Sequence, residues 1–219
     1  MPCYQITHMK ILIFVLFILI SESVCAANLT VETTVIRISG VLNNLDYERT
    51  AQLIDKNKQI DTVVFDNCMG GIVSIGYKIS QLIQKAHLNT VAKNQVHSSC
   101  AYAYLAGTKR HFSFESGTHI MLLHVGRAIE GQPDVTATVN PALMRYLSYL
   151  TDNKLTPVIK SYIERSTLPT QGIFFITTNY LFYRVHKTVY CDGSESGDTN
   201  KCLVLSDADP LVLGIVTSK

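Results

Sequence analysis

Apolar and polar positions alternate in blocks whose period changes along the chain. Val31 to Ser39 alternates and is rich in β-branched residues, which predicts a strand ended by Gly40. Leu45 to Asn57 places Leu45, Ala51, Leu53 and Ile54 among charged residues and predicts a surface helix. Thr62 to Phe65 is a short continuous apolar run, the pattern of a strand buried on both faces of a parallel sheet. Val73 to Ala86 carries Ile75, Ile79, Leu82, Ile83 and Ala86 at helical spacing. Leu88 to Ala92 returns as strand, Cys100 to Ala106 reads as helix, and His119 to His124 as the next strand. This alternation predicts βαβ units and an α/β fold with a parallel sheet covered by helices. Val125 to Pro141, with Gly126, Gly131 and Pro133, reads as a lid or interface loop. Helices are expected over Ala142–Leu150 and Val158–Arg165. Ile173 to Tyr183 fits a strand or a packed helix, and Leu211 to Val216 reads as a last strand.

Length changes this picture little: 219 residues and 47% hydrophobic content suit one domain with a substantial core. The net charge of +2 comes from interspersed acids and bases without a basic run, which argues against nucleic acid as a partner. The N-terminus adds more. Lys10 precedes the unbroken apolar run Ile11 to Ile20, and Val24-Cys25-Ala26 follows as a small-residue cleavage site. This is the pattern of a secretory signal over residues 1–26, with a mature chain from about Ala27 exported to a periplasm or the extracellular space. The run is short for a span of about 20 residues; left uncleaved, it would associate the chain with a membrane.

Cleavage would remove Cys3 and Cys25 and leave four cysteines. Cys191 and Cys202 bracket a polar, turn-rich loop between two apolar segments, a hairpin suited to a disulfide in an oxidising compartment. Their spacing is not a zinc pattern, and no metal or cofactor is expected. Cys68 and Cys100 flank two turns. The favoured reading is two small buried thiols packed beside the site; that the two approach each other and pair is the alternative.

Those two turns carry the chemistry. The first is Cys68-Met69-Gly70-Gly71, entering the helix of Ile75 and Gly76; the second is His97-Ser98-Ser99, entering the helix of Cys100 to Ala106. Gly70, Gly71, Ser98 and His124 all fall at carboxyl ends of expected strands, where sites gather in open α/β sheets. A nucleophilic serine needs an exposed oxygen, a base within hydrogen-bond reach and N–H groups aimed at the developing oxyanion. Ser98 could serve as nucleophile and His124 as base. The N–H groups of Gly71 and Ser99 could form the oxyanion hole, with Met69 and Gly70 against the substrate. A helix N-terminus just after Ser98 favours negative charge there. A serine in such a turn is otherwise a helix cap, a strand-end histidine otherwise a core residue, and a glycine pair otherwise a simple turn. His97, beside Ser98, and His119, on the opposite face of the same strand as His124, are the rival bases.

The Gly70-Gly71-x4-Gly76 turn, Ser98 with Gly107 nine residues on, and the strand-end histidine resemble the proteolytic subunit of Clp protease. Cys100-x4-Leu105-Ala106-Gly107 makes the short exported Clp-like proteins of the crotonase superfamily a closer match; the resemblance covers roughly Val35 to Leu181. It implies a crotonase-like fold of repeated ββα units over 27–186, with 187–219 as a β-hairpin extension. It also implies a peptide or protein substrate and self-association as trimers or hexameric rings. Two departures stand out. Cys68-Met69 replaces the family's Ser-Pro before the glycine pair, which loses proline's rigidity. The family's triad aspartate aligns near Gln171, and no carboxylate occurs from Ser166 through His186; Glu164 is the nearest upstream. Lys93 lies on the wrong side of the turn for a Ser-Lys arrangement like that of signal peptide peptidase A. The expectation is therefore an exported serine peptidase working with a dyad or degenerate triad. A catalytically silent, peptide-binding scaffold is the alternative. Acyl-CoA chemistry is a distant third, because export separates the chain from coenzyme A.

Overall fold

The computed structural model describes residues 26–124, 141–166, 168 and 170–217. The expected signal segment and most of the expected lid loop lie outside these residues.

Among the described residues, nine strands form one mixed sheet. They are β1 (Asn28–Glu32), β2 (Val35–Leu42), β3 (Thr62–Gly71), β4 (Asn89–His97), β5 (Arg110–Phe112), β6 (Gly117–Leu123), β7 (Gly172–Asn179), β8 (Arg184–Cys191) and β9 (Leu203–Val204). The order is β1-β2-β3-β4-β6-β7-β8-β9, with β5 beside the first half of β4. The β2, β3, β4, β5 and β6 pairings are parallel; β1, β7, β8 and β9 join antiparallel. The helices are α1 (Asp46–Lys56), α2 (Val73–Lys85), α3 (Ser98–Tyr104), α4 (Pro141–Leu150) and α5 (Pro157–Arg165).

The parallel centre matches the expected βαβ pattern, and the antiparallel flanks correct it. Val31 to Ser39 is two strands folded back at Thr33, which adopts φ +52°, and β2 runs past Gly40 to Leu42. Ile173 to Tyr183 resolves as β7 and a turn. The expected final strand at Leu211–Val216 is a series of turns instead. There Asp209 Oδ1 accepts the N–H groups of Leu211 and Val212, while Leu213, Ile215 and Val216 are buried in the main core. Arg110 fixes this tail by donating to the carbonyls of Leu105, Gly107 and Gly214.

Val63 and Phe65 of β3 face the core while Thr62 and Val64 are half-buried, so the strand is not buried equally on both faces. Asn67, at φ +51°, sits where the β3 register shifts, and beyond it the buried positions become Cys68 and Gly70. A bulge of this kind changes which side chains face the core. The central element is α3, in which every residue after Ser98 is buried. Small side chains at Ser99, Cys100, Ala101 and Ala103 let it sit close to both the sheet and α2. A Cβ on Gly76 of α2 would lie 2.4 Å from the Ser99 carbonyl oxygen.

Candidate active site

The site forms where β3, β4 and β6 reach their carboxyl ends. His97 pairs with Leu122 across the parallel β4–β6 ladder. Ser98, one residue beyond His97, and His124, two beyond Leu122, therefore leave neighbouring strands at the same end of the sheet, the strands being about 4.8 Å apart. Ser98 opens α3 with φ +51°, a left-handed conformation that a non-glycine residue rarely adopts. Such a strand-to-helix turn lifts a hydroxyl off the sheet edge, and Ser98 is half-exposed. The β3 turn packs directly against it: a Cβ on Gly70 would lie 2.8 Å from Ser98 Cβ and 3.5 Å from Ser98 Oγ. Gly70 also has φ +92°, so only glycine meets both demands without strain.

Cys68 and Cys100 are joined by a disulfide, contrary to the favoured reading of two separate thiols. The bond links the β3 turn to α3 two residues beyond Ser98. Cys100 Sγ also accepts the Gly70 N–H at 3.2 Å. That amide is thus committed, and Gly70 serves the site by its lack of a side chain. Gly71 is exposed beside it. Ser99 is buried and contributes one of the first-turn N–H groups of α3, which lack partners within the helix. Met69 stands at the rim, 45% exposed. Next to this turn, Val73, Tyr77, Leu143 and Tyr146 line an apolar groove of about 680 Å³ between α2 and α4.

His124 is buried at the end of β6. Burial, and then the nearby His97 imidazole, hold its imidazole at about 4, well below the ordinary histidine range. His124 is therefore neutral at physiological pH and able to accept a proton, while its environment disfavours the charged product. His97 lines a separate cavity of about 220 Å³ with Gln95, Leu122, Phe174 and Glu195; burial lowers its pKa as well. His119 is a structural residue: its Nδ1 accepts the Asn94 N–H and its Nε2–H donates to the Glu115 carbonyl. Both ring nitrogens are thereby used within the sheet.

Gln171 donates from Nε2 to the Asp192 carbonyl and accepts the Leu168 N–H, tying its turn to the C-terminal hairpin. That hairpin is closed by the Cys191–Cys202 disulfide, as its spacing suggests. Next to Gln171 the chain crosses close to the histidine: a Cβ on Gly172 would lie 3.1 Å from His124 Cβ. One neighbour went unread in the sequence. Tyr102 is buried, donates to the His124 carbonyl oxygen and lies one helical turn beyond Ser98 on α3. Its signal was available as the i+4 position from Ser98 on a short helix.

No protein-family model matches the sequence, and no curated protein is significantly similar to it. Solved structures with a similar arrangement include ClpP1 from Listeria monocytogenes, at 16% identity, 84% of this chain, 89% of that one and a TM-score of 0.48. A point mutant of the same ClpP1 matches at 18% identity, 84% of this chain, 90% of that one and a TM-score of 0.48. The 1510-N membrane-bound stomatin-specific protease, in mutant form, matches at 12% identity over 60% of this chain and 67% of that one, with a TM-score of 0.43.

Proposed function

We propose that this chain is an exported serine hydrolase, a peptidase of Clp-like, crotonase-type architecture that acts as a homo-oligomer. Residues 1–26 are the cleaved signal, 27–186 the catalytic domain and 187–219 the hairpin extension. The observation that carries the reading is Ser98: a half-exposed hydroxyl held at φ +51° on a strand-to-helix turn, against Gly70, one strand from a buried neutral imidazole. Backbone strain at a polar residue in such a place is a feature of functional sites.

In this reading Ser98 Oγ attacks a peptide carbonyl carbon as His124 takes its proton. The Gly71 and Ser99 amides hold the oxyanion. His124 then delivers the proton to the departing amine, and a water molecule, deprotonated by the same imidazole, hydrolyses the acyl-enzyme. The apolar groove beside Val73 and Tyr77 suits an apolar side chain of the substrate.

The alternative, a non-catalytic peptide-binding scaffold, draws support from two observations. The segment from Ser166 through His186 offers no carboxylate to the imidazole, and the site lowers the His124 pKa to about 4. Both disfavour the imidazolium that the reaction must form. Labelling with a fluorophosphonate probe separates the readings. A peptidase labels in the wild type and loses the label in Ser98→Ala; peptide binding without labelling, unchanged in Ser98→Ala, identifies the scaffold.

A further inference from the structure

The phenol of Tyr102 sits between the two residues that the proposed reaction uses. Ser98 and Tyr102 are four residues apart on α3 and so share a helix face. Tyr102 is only 1% exposed, and its hydroxyl donates to the main-chain carbonyl of His124. A carbonyl oxygen can only accept, and a phenol has a single hydrogen. With that hydrogen committed, Tyr102 joins the helix that Ser98 opens to the main chain that carries His124.

We propose that Tyr102 is a positioning residue that sets the serine hydroxyl against the histidine, from the main-chain side of His124. This inference rests on the peptidase reading. A triad carboxylate orients the imidazole through a ring nitrogen. Tyr102 instead pins the backbone that carries the imidazole to the helix that carries Ser98. It ties the end of β6 to α3 in a chain whose segment from Ser166 through His186 offers no carboxylate. Burial raises the phenol above its ordinary range, so it stays protonated and orients without taking up the serine proton. Tyr104, two residues on and equally buried, is the internal control: its hydroxyl has no hydrogen-bond partner among the described residues.

The test compares the rate of fluorophosphonate labelling in wild type, Tyr102→Phe and Tyr104→Phe, with saturation kinetics separating probe binding from the bond-forming step. Tyr102→Phe should slow the bond-forming step by about ten- to a hundredfold, the scale of a small misplacement of reacting groups, with probe affinity unchanged. Tyr104→Phe should label at the wild-type rate. A folded Tyr102→Phe that labels as fast as wild type, whatever its loss of stability, overturns the inference and leaves the peptidase reading standing. A wild type that does not label overturns the reading itself, and the inference with it. Should Tyr102→Phe fail to fold, the ¹³Cζ resonance of Tyr102 gives an independent measurement. It should show the downfield position of a phenol that donates to a carbonyl, apart from that of Tyr104. Coincident resonances mean that no bond ties Tyr102 to the His124 carbonyl, and the proposal falls.

Discussion

The Cys68–Cys100 disulfide makes two separable contributions, and single substitutions can tell them apart. The first is a covalent tie across a sequence separation of 32 residues. On the chain-entropy account, closing a loop of that size in the unfolded chain is worth about 4 kcal/mol. For a chain of this size each kcal/mol moves the melting temperature by about 2–4 °C. Loss of the tie should therefore lower it by roughly 8–16 °C. The second contribution is the sulfur of Cys100 as acceptor for the Gly70 N–H at 3.2 Å. Gly70 is buried, so an unpaired amide there costs about 1–3 kcal/mol. Cys68→Ala removes the tie and leaves the acceptor. Cys100→Ala removes both, and should be the less stable variant by about 1 kcal/mol or more. The two substitutions delete the same atoms from equally buried positions, so cavity terms largely cancel in the comparison. Urea unfolding under non-reducing conditions measures both differences, and thiol titration of the native protein reports the bond directly. Cys68→Ala as stable as wild type, or native protein with residues 68 and 100 titrating as free thiols, would refute the covalent part. Equal stability of the two variants would refute the role assigned to the sulfur.

Three further outcomes follow from the site itself. The folded pKa of His124 is about 4, whereas the unfolded imidazole titrates near 6.5. Between these values the unfolded chain binds the extra proton, so stability should fall as pH drops from about 6.5 towards 4. Unfolding at a series of pH values, with His124→Gln as the comparison, checks this; an unchanged slope in that variant counts against the burial argument. By the same token, serine labelling should persist at pH 5 and decline only as His124 takes its proton, and a midpoint near 6.5 would contradict the environment described for the imidazole. Gly70→Ala combines a left-handed φ of +92° with a Cβ 2.8 Å from Ser98 Cβ. It should cost about 1–2 kcal/mol from the backbone alone and abolish labelling. A folded variant that labels normally would mean that the two turns are not in contact.

What could be read from the sequence was local, and what could not depended on distant partners. The positions of Ser98 and His124 in the fold were legible, the first because small residues open a short helix immediately after a strand, the second because it ends an apolar run. The βαβ centre was legible for the same reason. The antiparallel flank was not. Val31 to Ile38 shows one alternation whether it runs straight or folds back, and the reversal at Thr33 carries neither glycine nor proline. Leu211 to Val216 has the apolar density of a strand, but Asp209 and Arg110 hold it as a buried turn. Tyr102 reads as ordinary helix packing until His124 is known to lie above it.

The disulfide shows how a remote feature decides the site. Along an unbroken strand, Cys68 stands an odd number of residues from Phe65 and would face away from the core and from Cys100. The residue at Asn67 reverses that phase. Its neighbour Asp66 is held from the opposite face of the sheet, where it accepts from Arg37 at 2.8 Å and from Asn94 Nδ2 at 2.7 Å. Asn94 is itself left-handed, lies where β4 gains a residue on β3, and donates its N–H to His119. The polar cluster of Arg37, Asp66, Asn94 and His119 thus stands immediately upstream of both turns of the candidate site and braces the two irregularities that aim them. The placement of Ser98 is in this sense braced upstream of the turn that holds it, by residues whose sequence context reads as nothing more than polar positions in a strand.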